Sequence, residues 1–385
     1  MSTVPLRVAG QCVFVFHYKG TKPCSFTFRR EDGSNVLQVD WTAYNISVRG
    51  ITPCIDIYNN SGLINISEAY YWFSLDAQNG RLYAGIGEPR LETAIYSYKF
   101  PEHFHKSNKG YLEQIKTLSF GPDIHIRMHM TDPISTSIPF TVKDMDDLTM
   151  DDIARGTYMP IVNLSPTTQK LYNCIAGKKF ILDDKDFPDF SKAIQRSIVT
   201  PGAWCNTMLA KKAQEFGKPN PKETYLRITL GENGGESPGI PYVMEIWPAG
   251  NYSPVHSHAG ANAIIRVLHG SIQVNLYPYL SKKVLPFKTA DFKKNDVTWI
   301  SPTLNQTHQL RNITNELCVT IQCYMYEEND NGHYDYFDYL DSDGVQQQYE
   351  PDSDMDFMNF KKIMRKEWEE KESIRGVWMN GVWRN

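Results

Sequence analysis

The sequence predicts a mainly β protein in two parts, an N-terminal β-sandwich followed by a closed jelly-roll β-barrel with a few helices. Three observations lead there. Aromatic and β-branched residues alternate or run apolar over strand-length stretches in both halves, and turn residues punctuate them at short intervals. Two helical patterns separate the halves near the middle of the chain. The length, 385 residues, suits about two domains, and 41% hydrophobic with 22% charged residues is ordinary for a chain that buries a core.

Residues 1–165 carry "CVFVFHY", "NVLQVDWTAYNISVRG", "YYWFSLDAQNGRLYAGIG" and "TAIYSYKF", all strand-like, with Asn79-Gly80 as a hairpin turn between two runs. The block "YYWFSLDAQNGRLYAGIGEP" is similar to the β-sandwich modules named after farnesoic acid methyltransferase, which implies a binding or interaction module. Residues 183–217 then read as two helices ended by Pro and Gly. Strands return from Thr224 to Tyr326, within a predicted barrel domain over residues 175–345. Residues 328–356 are acidic and tyrosine-rich and read as surface loop. The final part, 346–385, closes on the amphipathic helix "DFMNFKKIMRKEWEEKESIRG", predicted to pack on the barrel or on a second copy of the chain.

The formal net charge of −4 argues against nucleic acid as a partner. No run of 18 apolar residues predicts a membrane span, and the N-terminus lacks the features of a signal peptide. Seven cysteines without framework spacing fit reduced thiols. A cytoplasmic protein is expected.

The stretch "NYSPVHSHAGANAIIRVLHG" places His256 and His258 two apart in strand-like sequence. Residues i and i+2 share a face of a strand, so both project into the barrel. His308 follows the strand "DVTWIS" and the turn "PTLNQT". Two histidines from one strand and a third from a distant one can hold one face of a metal octahedron, leaving the opposite face for substrate and oxygen.

The spacing resembles the cupin family. Gly250, five residues, His256, one residue, His258, four residues, Ala263, six residues and Gly270 match its first motif. Pro302, His308 and Asn312 match the second, with one extra residue before the histidine and Leu304 at a position where Gly is usual. Most cupins carry a glutamate ligand at the position of Ala263. Its absence leaves three neutral imidazoles, the departure shown by thiol dioxygenases. The likeness to cysteine dioxygenase extends over residues 185–330. Tyr225 and Arg227 in "TYLRITL" match that family's tyrosine–arginine strand, and "VTIQCYMY" aligns Tyr324 with its active-site tyrosine. Ala263 also replaces the cysteine that crosslinks to that tyrosine in animal enzymes, so no Cys–Tyr crosslink is expected. Gln322 stands in place of a supporting histidine, and Met325-Tyr326-Glu327 in place of Ser-Pro-Pro.

The resemblance implies an Fe(II) centre held by His256, His258 and His308, with a small thiol and O2 as partners and a sulfinic acid as product. Metal ligation lowers a thiol pKa enough to deprotonate it, and imidazoles with open positions favour iron over zinc. Arg227 is expected to clamp a substrate carboxylate through a bidentate pair. Tyr225 supports the same carboxylate, and Tyr324 donates a hydrogen bond at the reacting end. L-Cysteine is the first candidate. Alternatives are 3-mercaptopropionate or another sulfur compound, or a non-catalytic barrel beside a ligand-binding N-terminal module. Self-association is compatible with the sequence.

Structural readings stand beside these. Arg227 can be a salt-bridge residue, Tyr324 core packing, and the histidines barrel interior. His269 falls on the opposite face of its strand. "EHFHKS" (His103, His105) and "HIRMH" (His125, His129) repeat histidine pairs in sequence that reads as loop. Cys318 and Cys323 read as core residues. "GENGGESPG" reads as a hairpin loop without the lysine of a phosphate-binding loop.

Overall fold

The structure is a computed structural model that describes residues 1–18, 23–42, 45–50, 55–58, 70–102, 110–177, 180–231, 241–327 and 336–380. It divides into two compact units, Met1–Ile138 and Pro139–Asn385.

The strands of the first unit are β1 (Ser2–Pro5), β2 (Gln11–Tyr18), β3 (Cys24–Arg29), β4 (Asn35–Trp41), β5 (Asn45–Arg49), β6 (Ile55–Tyr58), β7 (Tyr71–Asp76), β8 (Arg81–Ile86), β9 (Ala94–Lys99), β10 (Thr117–Phe120) and β11 (Ile124–Met130). They form two sheets, ordered β1-β10-β3-β4-β5-β6 and β11-β2-β7-β8-β9. Alternation on β2 explains the pairing of layers. Phe14 and Phe16 face inward, and Phe16 meets Phe26 and Trp41 of the other sheet at ring distances of 4.8 and 5.7 Å. Val13 and Val15 pack on the other face with Trp72 and Ile134. The sandwich and its β7–β8 hairpin are therefore as the sequence predicts; in the hairpin, Asn79 N donates to the Asp76 carboxylate at 3.0 Å.

The second unit contains β12 (Thr141–Lys143), β13 (Met159–Pro160), β14 (Leu226–Thr229), β15 (Tyr242–Trp247), β16 (His256–Ser257), β17 (Asn262–His269), β18 (Ser271–Tyr277), β19 (Lys288–Lys293), β20 (Val297–Ile300), β21 (Thr307–Arg311), β22 (Cys318–Met325), β23 (Phe337–Leu340), β24 (Gln346–Tyr349) and β25 (Met355–Asp356). One sheet runs β13-β12-β20-β17-β22-β15-β14-β25, the other β19-β18-β21-β16-β23-β24. This is the expected jelly-roll β-barrel. Val267, Ile272, Val274, Leu276, Phe292 and Leu310 are among the residues that fill its interior.

Two boundaries differ from the sequence expectation. The first unit ends at Ile138 rather than 165, because β12 pairs antiparallel with β20 and so belongs to the barrel. Helices α1 (Met150–Arg155) and α2 (Pro166–Ile175) follow in the same unit. The C-terminal part is likewise no separate region. Strand β24 extends the smaller sheet, and β25 runs parallel to β14. The predicted helices appear as α3 (Phe190–Val199) and α4 (Trp204–Lys212), and α5 (Phe357–Asn380) packs on both. Phe360 lies 5.9 Å from the Phe190 ring and 5.2 Å from Trp204, which places α5 on its own chain. No described helix is long and apolar enough to cross a membrane.

Candidate metal centre

Strand β16 is only two residues long, yet it lies between β21 and β23, and its register puts His256 directly opposite His308. His258 lies two residues further along the chain. The three rings converge with centroids 4.7–4.9 Å apart. Their ligating nitrogens lie within 4.8 Å of one another, and no carboxylate joins the cluster among the described residues.

The motif glycines have a backbone reason. Gly270 has φ +69°, and a Cβ there would sit 2.3 Å from the Leu317 carbonyl oxygen, so only glycine fits between β17 and β18. Gly250, at φ +75°, turns the chain into the histidine segment.

The donor set fits a metal ion. His258 Nε2 faces His308 Nε2 at 3.1 Å. Nitrogens about 2.1 Å from a metal and at right angles to it stand about 3.0 Å apart, so the two rings already have the separation of neighbouring ligands. His256 Nδ1 contacts the Pro254 carbonyl at 3.1 Å, and His308 Nδ1 contacts that of Asn305 at 3.3 Å. These contacts hold the His256 and His308 rings in place, as outer partners of metal-bound histidine do, while His258 Nδ1 has no hydrogen-bond partner among the described residues. Burial lowers the imidazole pKa values, that of His256 to about 4 and those of His258 and His308 well below the usual value. All three are therefore neutral and able to ligate at neutral pH.

The histidines line a cavity of about 50 Å³, shared with Tyr225, Arg227, Glu245, Gln322 and Tyr324. That is several times the ~10–15 Å³ that admits one water, and suits a ligand of a few heavy atoms. Tyr324 pairs directly with Ala263 across β22 and β17, and its ring stacks 5.7 Å from His258. A methyl group thus occupies the position facing the tyrosine, and no sulfur is present there to crosslink. Burial pushes both the Tyr324 and Tyr225 phenols well above their usual pKa, so each remains a hydrogen-bond donor. Tyr225 stacks on Trp247 at 4.3 Å.

Arg227 lies in the cavity wall, but it is not a free cation. Its Nη1 donates to Glu245 Oε1 at 2.7 Å, directly across β14 and β15. The carboxyl pKa of Glu245 is raised because burial outweighs the attraction of Arg227. Glu245 was absent from the sequence expectation. The signal was available: Val243, Glu245 and Trp247 share one face of "YVMEIW", and a lone carboxylate on an inward face needs a partner.

A second omission lies in the segment read as surface loop. Phe337, Tyr339 and Tyr349 of the β23–β24 hairpin line the same cavity. Phe337 comes within 4.7 Å of the His258 ring. In the hairpin, Gln346, Gln347 and Gln348 are exposed while Phe337, Tyr339 and Tyr349 line the cavity.

Among the described residues no other histidine joins the cluster. His269 is 3.9 Å from the Asp183 carboxylate. His125 and His129 occupy strand β11 of the sandwich rather than a loop, and His129 stacks on Phe14 at 4.2 Å. His103 and His105 fall outside the described residues. Most of "GENGGESPG" does too, though the strands it joins, β14 and β15, pair antiparallel. Cys318 and Cys323 are fully buried, and burial pushes the Cys323 thiol up to about 12.

No family model matches the chain. Among solved structures it is similar to the cupin domain of Schizosaccharomyces pombe Cnp3, at 18% identity and TM-score 0.22, over 27% of this chain and 65% of that one. It is similar to a cupin 2 conserved barrel domain protein from Salinispora arenicola, at 15% identity and TM-score 0.22, over 28% and 78%. Oxalate oxidase in complex with the substrate analogue glycolate is similar at 15% identity and TM-score 0.22, over 26% of this chain and 51% of that chain. The chain thus spans just under two thirds of the Cnp3 cupin domain. The fold assignment rests on the strand order described above.

Proposed function

We propose that this chain is a cytoplasmic metal-dependent dioxygenase that converts a small thiol to its sulfinic acid, with iron(II) held by His256, His258 and His308. The observation that carries this reading is the ligand set: three neutral imidazoles, with no carboxylate beside them among the described residues, lining a small cavity. A divalent metal bound by neutral ligands keeps its full charge, and supplies thiol activation and access to O2. The reaction balances without a further reductant: the sulfur gives up four electrons, O2 takes four, and both oxygen atoms end in the product.

The chain's own contribution is positioning and exclusion of water. Phe140, Val274, Leu276, Phe292 and Phe337 wall the cavity with apolar surface. Tyr324, protonated and beside His258, offers its hydroxyl as a donor at the reacting end. Arg227 and Glu245 lie in the wall as the charged feature that orients the rest of the substrate.

The test is oxygen consumption by the iron(II)-loaded protein with small thiols, with product mass measured using ¹⁸O2. Uptake with two labelled oxygens per product supports the reading. Iron bound at full stoichiometry with no uptake for any small thiol overturns it.

A further inference from the structure

A second cavity lies on the other face of the barrel wall. Strand β17 serves both. Ile265 and Val267 line the metal cavity, while the alternate residues Arg266 and Leu268 line a groove between the sheet and the end of α2. The groove measures about 780 Å³, a size within the ~300–1,000 Å³ of small-molecule sites. Val142, Tyr158, Tyr172, Leu182 and Val297 give it apolar walls.

Arg266 is 8% exposed, and no carboxylate pairs with it among the described residues. Its Nη1 donates to the carbonyls of Ile175 and Gly177 at 3.0 and 2.8 Å, and its Nη2 to Asn295 Oδ1 at 3.2 Å. The two carbonyl bonds cap the C-terminal end of α2, where a cation is favoured. Together the three bonds use three of the five guanidinium N–H groups. Nε is buried without a hydrogen-bond partner among the described residues, and one Nη2 hydrogen also remains. Nε and Nη2 are neighbours on the guanidinium fork, and such a pair matches the two oxygens of a carboxylate. Helix capping therefore accounts for Nη1 and leaves a buried charge and a buried donor unmatched, which is costly.

We propose that the groove is a second ligand site, for a free monocarboxylic acid with an apolar body, whose carboxylate takes the open Nε–Nη2 edge of Arg266. One buried cation without a counter-ion matches one negative charge. Asp144, Asp147 and Asp296 also line the groove and repel a dianion such as a phosphate monoester. Lys294, exposed at the groove wall, adds attraction for the acid, whereas Lys143 is already held by Asp152 at 2.8 Å. The site is independent of the thiol reading of the metal centre.

The experiment is a fluorescence titration of the iron(II)-loaded full chain with pyrenebutyrate and with pyrenebutanol, which has the same body and no charge. The fused-ring body is too large for the metal cavity of about 50 Å³, so binding reports the groove. The acid is expected to bind once per chain, at least about tenfold more tightly than the alcohol, the scale of a charge-assisted hydrogen bond. Arg266→Gln is expected to bring the two within about threefold. Lys294→Glu, at an exposed position, should weaken the acid by about threefold or more and leave the alcohol unchanged. Equal binding of acid and alcohol by the wild type overturns the site, as does an undiminished preference in an Arg266→Gln protein with a cooperative melt. Should Arg266→Gln fail to fold, Lys294→Glu decides, and unchanged binding of the acid there overturns the proposal. Displacement of the acid by inorganic phosphate but not by acetate overturns the carboxylate assignment.

Discussion

At the residue scale, the cluster depends on parity and register. His256 and His258 share a face because they are two apart, and His308 meets them because β21 lies beside β16 with those residues opposed. Replacing His308 by Ala removes one of three ligands, and iron content measured by mass spectrometry should fall from near one per chain by about tenfold or more, given that even outer-shell losses cost 10–100-fold. Gly270→Ala puts a Cβ at 2.3 Å from a backbone oxygen at positive φ. It should destabilise the barrel by about 2–4 kcal/mol, seen as a lower midpoint in urea unfolding. The shared face of His256 and His258 was legible from short-range spacing. His308, the motif glycines and the opposition of Ala263 to Tyr324 were legible only through the family resemblance, and the structure brings them together through the registers of β16–β21 and β17–β22. The partner of Arg227 was not legible. Glu245 lies eighteen residues on, and only the cross-strand register of β14 and β15 brings the two charges together.

At the scale of elements, sequence reasoning recovered the strands with strong alternation and missed those whose composition is misleading. The β23–β24 hairpin is rich in acidic and polar residues, and Gln346, Gln347 and Gln348 are exposed. Its inward residues are nonetheless aromatic at alternate positions, Phe337 and Tyr339. Helix α2 falls between the two predicted domains, where the sequence reading placed no element, although Ser165-Pro166 is a strong helix start. The Ser165 hydroxyl accepts from Thr168 N at 3.2 Å, and Thr168 Oγ1 donates in turn to Asn262 Oδ1 at 3.0 Å on β17. Ser165→Ala should cost about 1 kcal/mol of stability by losing this cap. Thermal denaturation of the two proteins side by side gives the difference, and Ser165→Asp, which restores a capping oxygen, should recover most of it.

At the scale of the whole molecule, the histidines and the aromatic cavity walls all belong to the second unit. A chain cut to residues 139–385 should fold and bind iron with the same stoichiometry as the full protein, as judged by a cooperative melt and metal analysis. A cut to residues 1–345 should not, because it removes β24, β25, α5 and Asp354. The Asp354 carboxylate accepts from Arg227 N at 2.7 Å and pairs with the buried Lys212 at 3.2 Å. The sequence-derived boundary at residue 345 would have separated these contacts from the barrel they hold in place.

The brevity of β16 has a thermodynamic consequence. With two residues it has little cohesion of its own, and its place depends on β21 on one side and on β23 on the other, where His256 opposes Tyr339. Any ion that fixes His256 and His258 thereby fixes the strand against which the C-terminal hairpin pairs. Ion occupancy and hairpin closure are then linked equilibria, each strengthening the other by the same free energy. Amide hydrogens of residues 337–340 should exchange more slowly in the iron-loaded protein than in the chelated protein, while those of β2 and β7 in the sandwich keep their rates.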